Sequence, residues 1–175
     1  THPVYGETGL LDDEKSAVEG AVKWSSSSDY YTLNEQYNND AYAQWLSSYG
    51  VKYKSATDGD YPSMSASSLA GIWAEIYPYI QGSSDTQKWL SGVFGATDTS
   101  FIREALGESG VTVRDTAGWI SDGETDAVVD AGILSKDGRD YLMVIATGLR
   151  DSDKGHQYVI DLAQTLFNTR GLLGP

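Results

Sequence analysis

Lys136-Asp137-Gly138-Arg139-Asp140-Tyr141-Leu142-Met143-Val144-Ile145-Ala146-Thr147 is the stretch on which the fold turns. Asp-Gly between two apolar runs is the strongest short-range signal for a β-hairpin, because both central residues of the favoured two-residue turn need φ > 0. From Tyr141 onward nearly every position is apolar. That is the pattern of a strand buried on both faces and central in its sheet. Upstream, Ala127-Val128-Val129 through Leu134 supplies the first arm of the hairpin, and Val111-Thr112-Val113-Arg114 begins a further β-like run that reaches Trp119. A central strand must pair on both sides. Tyr141–Thr147 has one certain neighbour, and only Val111–Trp119 is left to be the second. If that run pairs on the far side of the hairpin, an apolar edge stays bare, and such edges invite another strand. The expectation is that a missing N-terminal segment or a second copy of the chain completes the sheet.

Before residue 111 the period is helical. Asp12-Asp13-Glu14 suits the N-terminal dipole of a first helix with Leu11, Val18, Ala21 and Val22 near one face. Ser25-Ser26-Ser27-Ser28-Asp29 reads as a turn and a new N-cap, since short hydroxyl and carboxylate side chains take up orphan N–H groups. A helical stretch with Tyr42, Trp45, Leu46 and Tyr49 closes at Gly50, and Ser55 to Pro62 reads as a loop. Leu69, Ile72, Trp73, Ile76 and Ile80 form an amphipathic stripe that Pro78 should kink or end. Ser84-x-x-Gln87 has the spacing of a capping box, and Phe101, Ile102, Ala105 and Leu106 form a short helix ending at Gly107. After the hairpin, Val159, Ile160, Ala163, Leu166 and Phe167 define a closing helix, with Arg170 in its last turn. The expected fold is therefore α+β in a single domain, 1–175, mainly helical over 1–110, with a three-strand antiparallel sheet and a C-terminal helix over 111–175.

Composition bounds the chemistry. With 12 Lys+Arg against 25 Asp+Glu, the formal charge is −13, which argues against a nucleic-acid reader. The absence of cysteine excludes thiolate metal sites and cysteine nucleophiles, and two distant histidines, His2 and His156, make a histidine-based zinc site or triad improbable. No cofactor or metal is expected. No apolar run reaches the ~20 residues of a membrane span. The chain starts at Thr1-His2-Pro3 with neither an initiator Met nor a signal-peptide core, the form of a processed or excised piece.

Four segments, in order, resemble the later part of the penicillin-recognising serine hydrolases, the superfamily of serine β-lactamases and penicillin-binding peptidases. Lys23-Trp24-Ser25-Ser26-Ser27-Ser28-Asp29-Tyr30 is similar to the segment leading into the Ser-Asp-Asn motif, and Ser63 to Ala70 to the start of the helix after the variable loop. Val113-Arg114-Asp115-Thr116-Ala117-Gly118-Trp119-Ile120 sits where the Lys-Thr-Gly strand would be, and the terminal hairpin and helix follow. The similarity spans roughly Leu10 to Arg170. It implies a partial β-lactamase or transpeptidase-like fold in an extracytoplasmic bacterial protein, secreted or in the cell envelope. It also implies a β-lactam or peptidoglycan-derived ligand, with Ser28, Asp29 and Tyr30 at the catalytic motif and Arg114, Thr116, Ala117, Gly118 and Trp119 lining the substrate groove.

The departures bear on activity. The family acylates a serine followed three positions later by lysine, and three residues before Lys15, Lys23, Lys52, Lys54, Lys88, Lys136 and Lys154 stand Asp12, Gly20, Tyr49, Val51, Asp85, Ile133 and Asp151. Thr116-Ala117-Gly118 replaces Lys-Thr-Gly, and Tyr30 replaces the motif's amide. Arg114 lies two residues before Thr116, on the same strand face, as a partial substitute for the lost cation. No Glu-x-x-Leu-Asn occurs between Gly50 and Ser65. Losing the nucleophile of a comparable serine hydrolase costs about a millionfold in turnover, and losing one electrostatic stabiliser about 3 kcal/mol more. The chain is expected to be a fragment or degenerate member, inert by itself. The alternative is a non-catalytic cell-envelope binding module for peptide, glycan or protein. Plainer structural roles compete for the same residues. Ser28-Asp29 suits a helix cap, Trp45, Trp73 and Trp89 suit the core, and His156 suits an exposed helix start. Trp119 ends a strand beside the candidate site.

Overall fold

The computed structural model describes residues 12–38, 40–51 and 61–173, which leaves most of the Ser55–Pro62 loop, Leu10, Leu11 and His2 outside the described residues. Two compact units emerge, Thr1–Val93 and Phe94–Pro175. The change of period near 110 thus falls inside the second unit, which takes the short helix before it as well.

The first unit is helical: α1 (Asp12–Lys23), α2 (Ser27–Tyr37), α3 (Asp40–Ser48), α4 (Ala66–Ile80) and α5 (Asp85–Phe94), the last crossing the boundary by one residue. α1 buries Ala17 and Gly20. Gln36 Nε2 donates to Glu14 Oε1 at 2.9 Å and the Tyr37 hydroxyl donates to the same carboxylate, tying α2 to α1. Leu46, Val51 and Ile72 form a core patch with Tyr42, Trp45, Tyr49, Met64 and Ile76 around it. Trp73 is buried. Pro78 lies inside α4, which continues to Ile80. A proline removes one N–H bond, and here the helix ends within a turn of it. The capping box forms as the spacing predicts: Gln87 N donates to Ser84 Oγ at 3.3 Å and Ser84 N to Gln87 Oε1 at 3.0 Å.

The second unit holds α6 (Phe101–Leu106), β1 (Thr112–Ser121), β2 (Asp126–Lys136), β3 (Arg139–Thr147), α7 (Asp153–Asn168) and a closing 3-10 turn, Arg170–Leu173. Asp137 and Gly138 have φ of 53° and 74°, the left-handed pair that the Asp-Gly signal calls for. The sheet order is β1-β2-β3 with both pairings antiparallel. Among the described residues β2 is therefore the central strand, and Tyr141–Thr147, expected at the centre, lies at an edge. A second tight connection explains the correction. Asp122 Oδ1 accepts from Glu124 N at 2.9 Å and Thr125 N at 2.7 Å, with Gly123 at φ 94°. Two successive hairpins make a meander, whose middle strand is central by construction.

Alternation assigns the faces. Val113, Asp115, Ala117 and Trp119 of β1 share a face with Leu134, Gly132, Asp130 and Val128 of β2 and with Tyr141, Met143, Ile145 and Thr147 of β3. α6 and α7 pack on this face, α6 against β1 and β2 and α7 against β2 and β3. Val113, Val128, Leu134, Met143 and Ile145 meet Phe101, Ile102, Leu106, Val159, Ala163 and Phe167 in one core. Each fully buried Val, Leu, Ile or Phe there stabilises by roughly 1.5–3 kcal/mol. Gly132 permits the close approach of the strands, because a Cβ there would lie 2.2 Å from the Arg114 carbonyl oxygen and 2.6 Å from Asp115 Cα.

Candidate functional site

The residues singled out from the sequence fall into two groups, one in each unit. In the first unit the N-cap of α2 is Ser26, whose Oγ accepts from Asp29 N at 3.3 Å. Ser28, expected in the capping pair, is instead an exposed residue of the first turn. Its hydroxyl lies 3.0 Å from Ser26 Oγ, and its carbonyl accepts from Thr32 Oγ1 at 3.0 Å. Ser25 at φ 49° provides the sharp entry. Asp29 lies against α1, over Gly20: a Cβ on that glycine would sit 2.0 Å from Asp29 Oδ2. This is a packing role, with the carboxylate occupying space that a larger residue on α1 would fill. Tyr30 joins an aromatic cluster, its ring centroid 5.6 Å from Tyr31 and 4.7 Å from Tyr61, while the Tyr61 hydroxyl donates to Ser27 Oγ at 3.0 Å. The structure thus brings Ser28 and Tyr30 onto one turn whose surface combines hydroxyls and tyrosine rings.

In the second unit the five strand residues separate by face. Arg114, Thr116 and Gly118 lie on the face away from α6 and α7, where Arg114 Nη1 donates to Ser135 Oγ at 3.4 Å. Ala117 and Trp119 lie on the helix-covered face. Ala117 is part of the core. The Trp119 ring is 6.3 Å from Phe101 and 6.1 Å from His156, centroid to centroid. Strand alternation decides this: residues an odd number apart point to opposite faces of the sheet. Ala117 is therefore buried, Trp119 on the same face keeps about a third of its surface exposed, 38%, and Arg114 shares a face with Thr116. His156 is half-buried, 4.8 Å from the Phe101 ring, with Nε2 2.8 Å from Asp151 Oδ1, and not the freely exposed residue expected.

The most organised polar group in the second unit was not among the sequence candidates. Asp115 and Asp130 are fully buried on adjacent strands, at inward positions of β1 and β2. Asp115 Oδ1 accepts from Thr97 Oγ1 at 3.1 Å and Arg103 Nη2 at 3.0 Å, and its Oδ2 accepts from the Ser100 hydroxyl. Arg103 also donates through Nη1 to the Thr97 carbonyl at 2.7 Å. Ser100 is at once the N-cap of α6, accepting from Arg103 N at 2.8 Å. Asp130 Oδ2 accepts from Ile102 N at 2.9 Å, meeting a second donor of that helix start. Asp130 Oδ1 is buried without a donor, as two carboxylates side by side are until one carries a proton. Burial, and then the charge of Asp115, pushes Asp130 well above the usual carboxylate range. Burial raises Asp115 as well, against the pull of the Ser100 hydroxyl, the Arg103 guanidinium and the Thr97 hydroxyl. Both carboxyls are pushed toward the protonated form, Asp130 the more strongly, while Arg103 and the two hydroxyls favour charge on Asp115. The legible signal was an acid at the inward phase of two apolar strands, Val113-x-Asp115-x-Ala117 and Val128-x-Asp130-x-Gly132. Such a pair anchors α6 to the sheet. It faces the core, without a reacting position open to solvent. Among the described residues no group of three or more His, Asp or Glu is arranged to hold a metal ion, and no helix is long and apolar enough to cross a membrane.

No protein-family profile and no curated protein sequence matches the chain. Solved structures do. A β-lactamase from Chitinophaga pinensis superposes with a TM-score of 0.66 at 18% identity, over 87% of this chain and 63% of that one. A mutant of PBP-A captured as an acyl-enzyme with penicillin G gives a TM-score of 0.71 at 15% identity, over 95% and 68%. A reconstructed ancestral class A β-lactamase gives 0.68 at 16% identity, over 97% and 75%. At these identities the likeness establishes the fold. The chain has the β-lactamase and PBP-A architecture over roughly two thirds of those chains' length, with seven helices and the three-strand antiparallel sheet among the described residues.

Proposed function

We propose that this chain is a β-lactamase-like or penicillin-binding-protein-like portion that does not form an acyl-enzyme by itself. The observation that carries the reading is the pairing of that fold with 175 residues in which no Ser-x-x-Lys occurs. Ser28 in the first unit is a remnant of the catalytic motif, and Thr116 through Gly118 in the second a remnant of the substrate-strand motif, of a serine acyl-transferase acting on β-lactams or peptidoglycan stem peptides in an extracytoplasmic parent. Ser28 would pass a proton to or from the reacting group. Its solvent-facing hydroxyl, hydrogen-bonded to Ser26, supports that role. Arg114, on the face of Thr116, supplies a cation for a substrate carboxylate in place of the absent lysine. The test is incubation of the chain with a labelled penicillin followed by intact-mass measurement. No mass shift is expected, and a stoichiometric adduct would overturn the reading.

One observation favours a second reading, a non-catalytic module for a peptide or glycan. Tyr31 and Tyr61 are exposed beside Tyr30 and the serine run, a surface able to stack on a ligand and hydrogen-bond to it. Titration with muropeptides, followed by Tyr fluorescence and calorimetry, separates the two. Saturable binding without turnover supports the module, and no binding leaves the inert portion.

A further inference from the structure

Both acids of the buried pair hold the same short helix. Asp130 Oδ2 accepts from Ile102 N, while Asp115 accepts from the hydroxyl of Ser100, the N-cap of α6, and from the Arg103 guanidinium in its first turn. The two carboxyls are also hydrogen-bonded to each other. An ionised carboxylate only accepts, so that bond exists only while one of the two carries a proton. Without the proton, two negative charges share a dry site with one cation, and Asp130 Oδ1 meets no donor. The neighbouring elements bring no second cation among the described residues. From β3, Ile145 lies opposite Asp130, and Met143 lies in the row of Asp115. α7 meets the core through Val159, Ala163 and Phe167, with its His156 resting on Phe101. Asp98 and Glu104, which line a cleft of about 370 Å³ with Thr99, Ser100 and Arg103, add only acid. That cleft brings solvent to Ser100, one hydrogen bond from Asp115. Water is therefore what answers a lost proton, and the weaker element must yield to admit it. β1 pairs with β2 over ten residues, whereas α6 is six residues long.

We propose that the Asp115–Asp130 pair is a proton-operated latch: while the shared proton is held, the first turn of α6 stays on the sheet, and its loss lets α6 lift while β1, β2, β3 and α7 remain folded. Phe101 leaves with α6, so the Trp119 and His156 rings that rest on it lose their support. The latch releases toward alkaline pH. In the latched state burial, and then the charge of Asp115, holds Asp130 well above the usual carboxylate range, whereas the opened, solvated carboxyl returns to a value near 4. Between those two values opening gives up a proton, and Asp130 alone makes the opening constant climb about tenfold per pH unit. Below that window the helix is latched, and above it the climb stops. The latch holds or fails independently of whether the chain acylates.

Amide hydrogen exchange of the 175-residue chain, read by NMR at a series of pH values and divided by the intrinsic rate of each amide, separates local release from global unfolding. The reporters are the amides of Ile102, Arg103 and Glu104, bonded to Asp130 Oδ2, Ser100 Oγ and the Ser100 carbonyl. They should open at least ~10-fold more often than the amides of β2, with the rise of about tenfold per pH unit. Asp130→Asn, neutral yet able to donate to Asp115 and to accept from Ile102 N, should flatten the rise and keep these amides closed. Exchange of the α6 amides in step with β2 at every pH overturns the latch, since unfolding of the whole unit then accounts for it. A local opening indifferent to pH, or the same rise in Asp130→Asn, overturns it too. Where the variant does not fold, the carboxyl ¹³C shift of Asp130 in the wild-type chain decides: it must titrate over the pH range in which α6 opens, and a shift that stays constant there refutes the latch.

Discussion

Asp115 and Asp130 show how a single buried proton sets the balance of the second unit. Two adjacent ionised carboxylates in the core would repel and each would lack solvation, so Asp130 is pushed well above the usual carboxylate range while Arg103 and two hydroxyls stabilise charge on Asp115. The folded chain keeps the Asp130 proton at pH values where the unfolded chain has lost it. Stability from this group is therefore full below the ordinary carboxylate pKa near 4, falls as pH rises, and is gone above the raised folded value. Asp130→Asn, neutral at every pH and still able to donate to Asp115, removes the slope. The Tm of the variant relative to wild type should grow from about pH 4 upward and then level, and a constant difference would show that Asp130 is not proton-linked. Arg103→Met leaves the Asp115 charge without its cation. Because the guanidinium is partly solvated, the cost at pH 7 should lie at the low end of the ~3–5 kcal/mol for breaking such a pair. The cost should shrink in acid as Asp115 takes up a proton. Gly132→Ala meets backbone 2.2 Å away that cannot yield without separating β1 from β2. Denaturant unfolding should register a loss at or above the ~1–3 kcal/mol usual for overpacking.

Elements announce themselves where a local residue decides the geometry, and are obscured where a neighbour does. The capping box at Ser84 and Gln87, the hairpin at Asp137-Gly138 and the apolar core flank of α7 were all legible, since each is set within a few residues. Pro78 marks the end of α4, which stops two residues later at Ile80. The strand order was not legible from Tyr141–Thr147, because apolarity on both faces describes a strand awaiting a neighbour as well as one that has it. The tight turn at Asp122-Gly123 was there to be read, and it places β2 in the middle. For the candidate site, Ser28 and Tyr30 do share a turn, whereas the strand residues divide by phase, Arg114, Thr116 and Gly118 on one face and Ala117 and Trp119 on the other. The serine run shows how far composition reaches. It promised a cap at Ser28-Asp29, and the structure places it two residues earlier, at Ser26. Ser26→Ala should cost about 1 kcal/mol, while Ser28→Ala, with an exposed hydroxyl, should stay within ~0.5 kcal/mol. Equal costs for the two in thermal unfolding would contradict the assigned cap.

Charge acts on the entire chain, and here it is one-sided. The described ion pairs include Glu19 with Lys23 on α1, Lys136 with Asp137 at the hairpin, and the partly buried Arg103 with Asp115. Exposed pairs contribute little, ~0–1 kcal/mol each, whereas 25 acids against 12 bases repel one another across the surface and favour an expanded chain. Salt shortens the reach of that repulsion, from ~30 Å at 0.01 M to ~8 Å at 0.15 M, and leaves the buried Arg103–Asp115 contact nearly intact. The repulsive sum should win. Raising sodium chloride from ~0.01 to ~0.15 M at pH 7 should therefore raise Tm, by about 2–4 °C for each ~1 kcal/mol of repulsion relieved in a chain of this size. Scanning calorimetry at several ionic strengths checks it, and a fall in Tm would mean that attractive surface pairs outweigh the acidic excess.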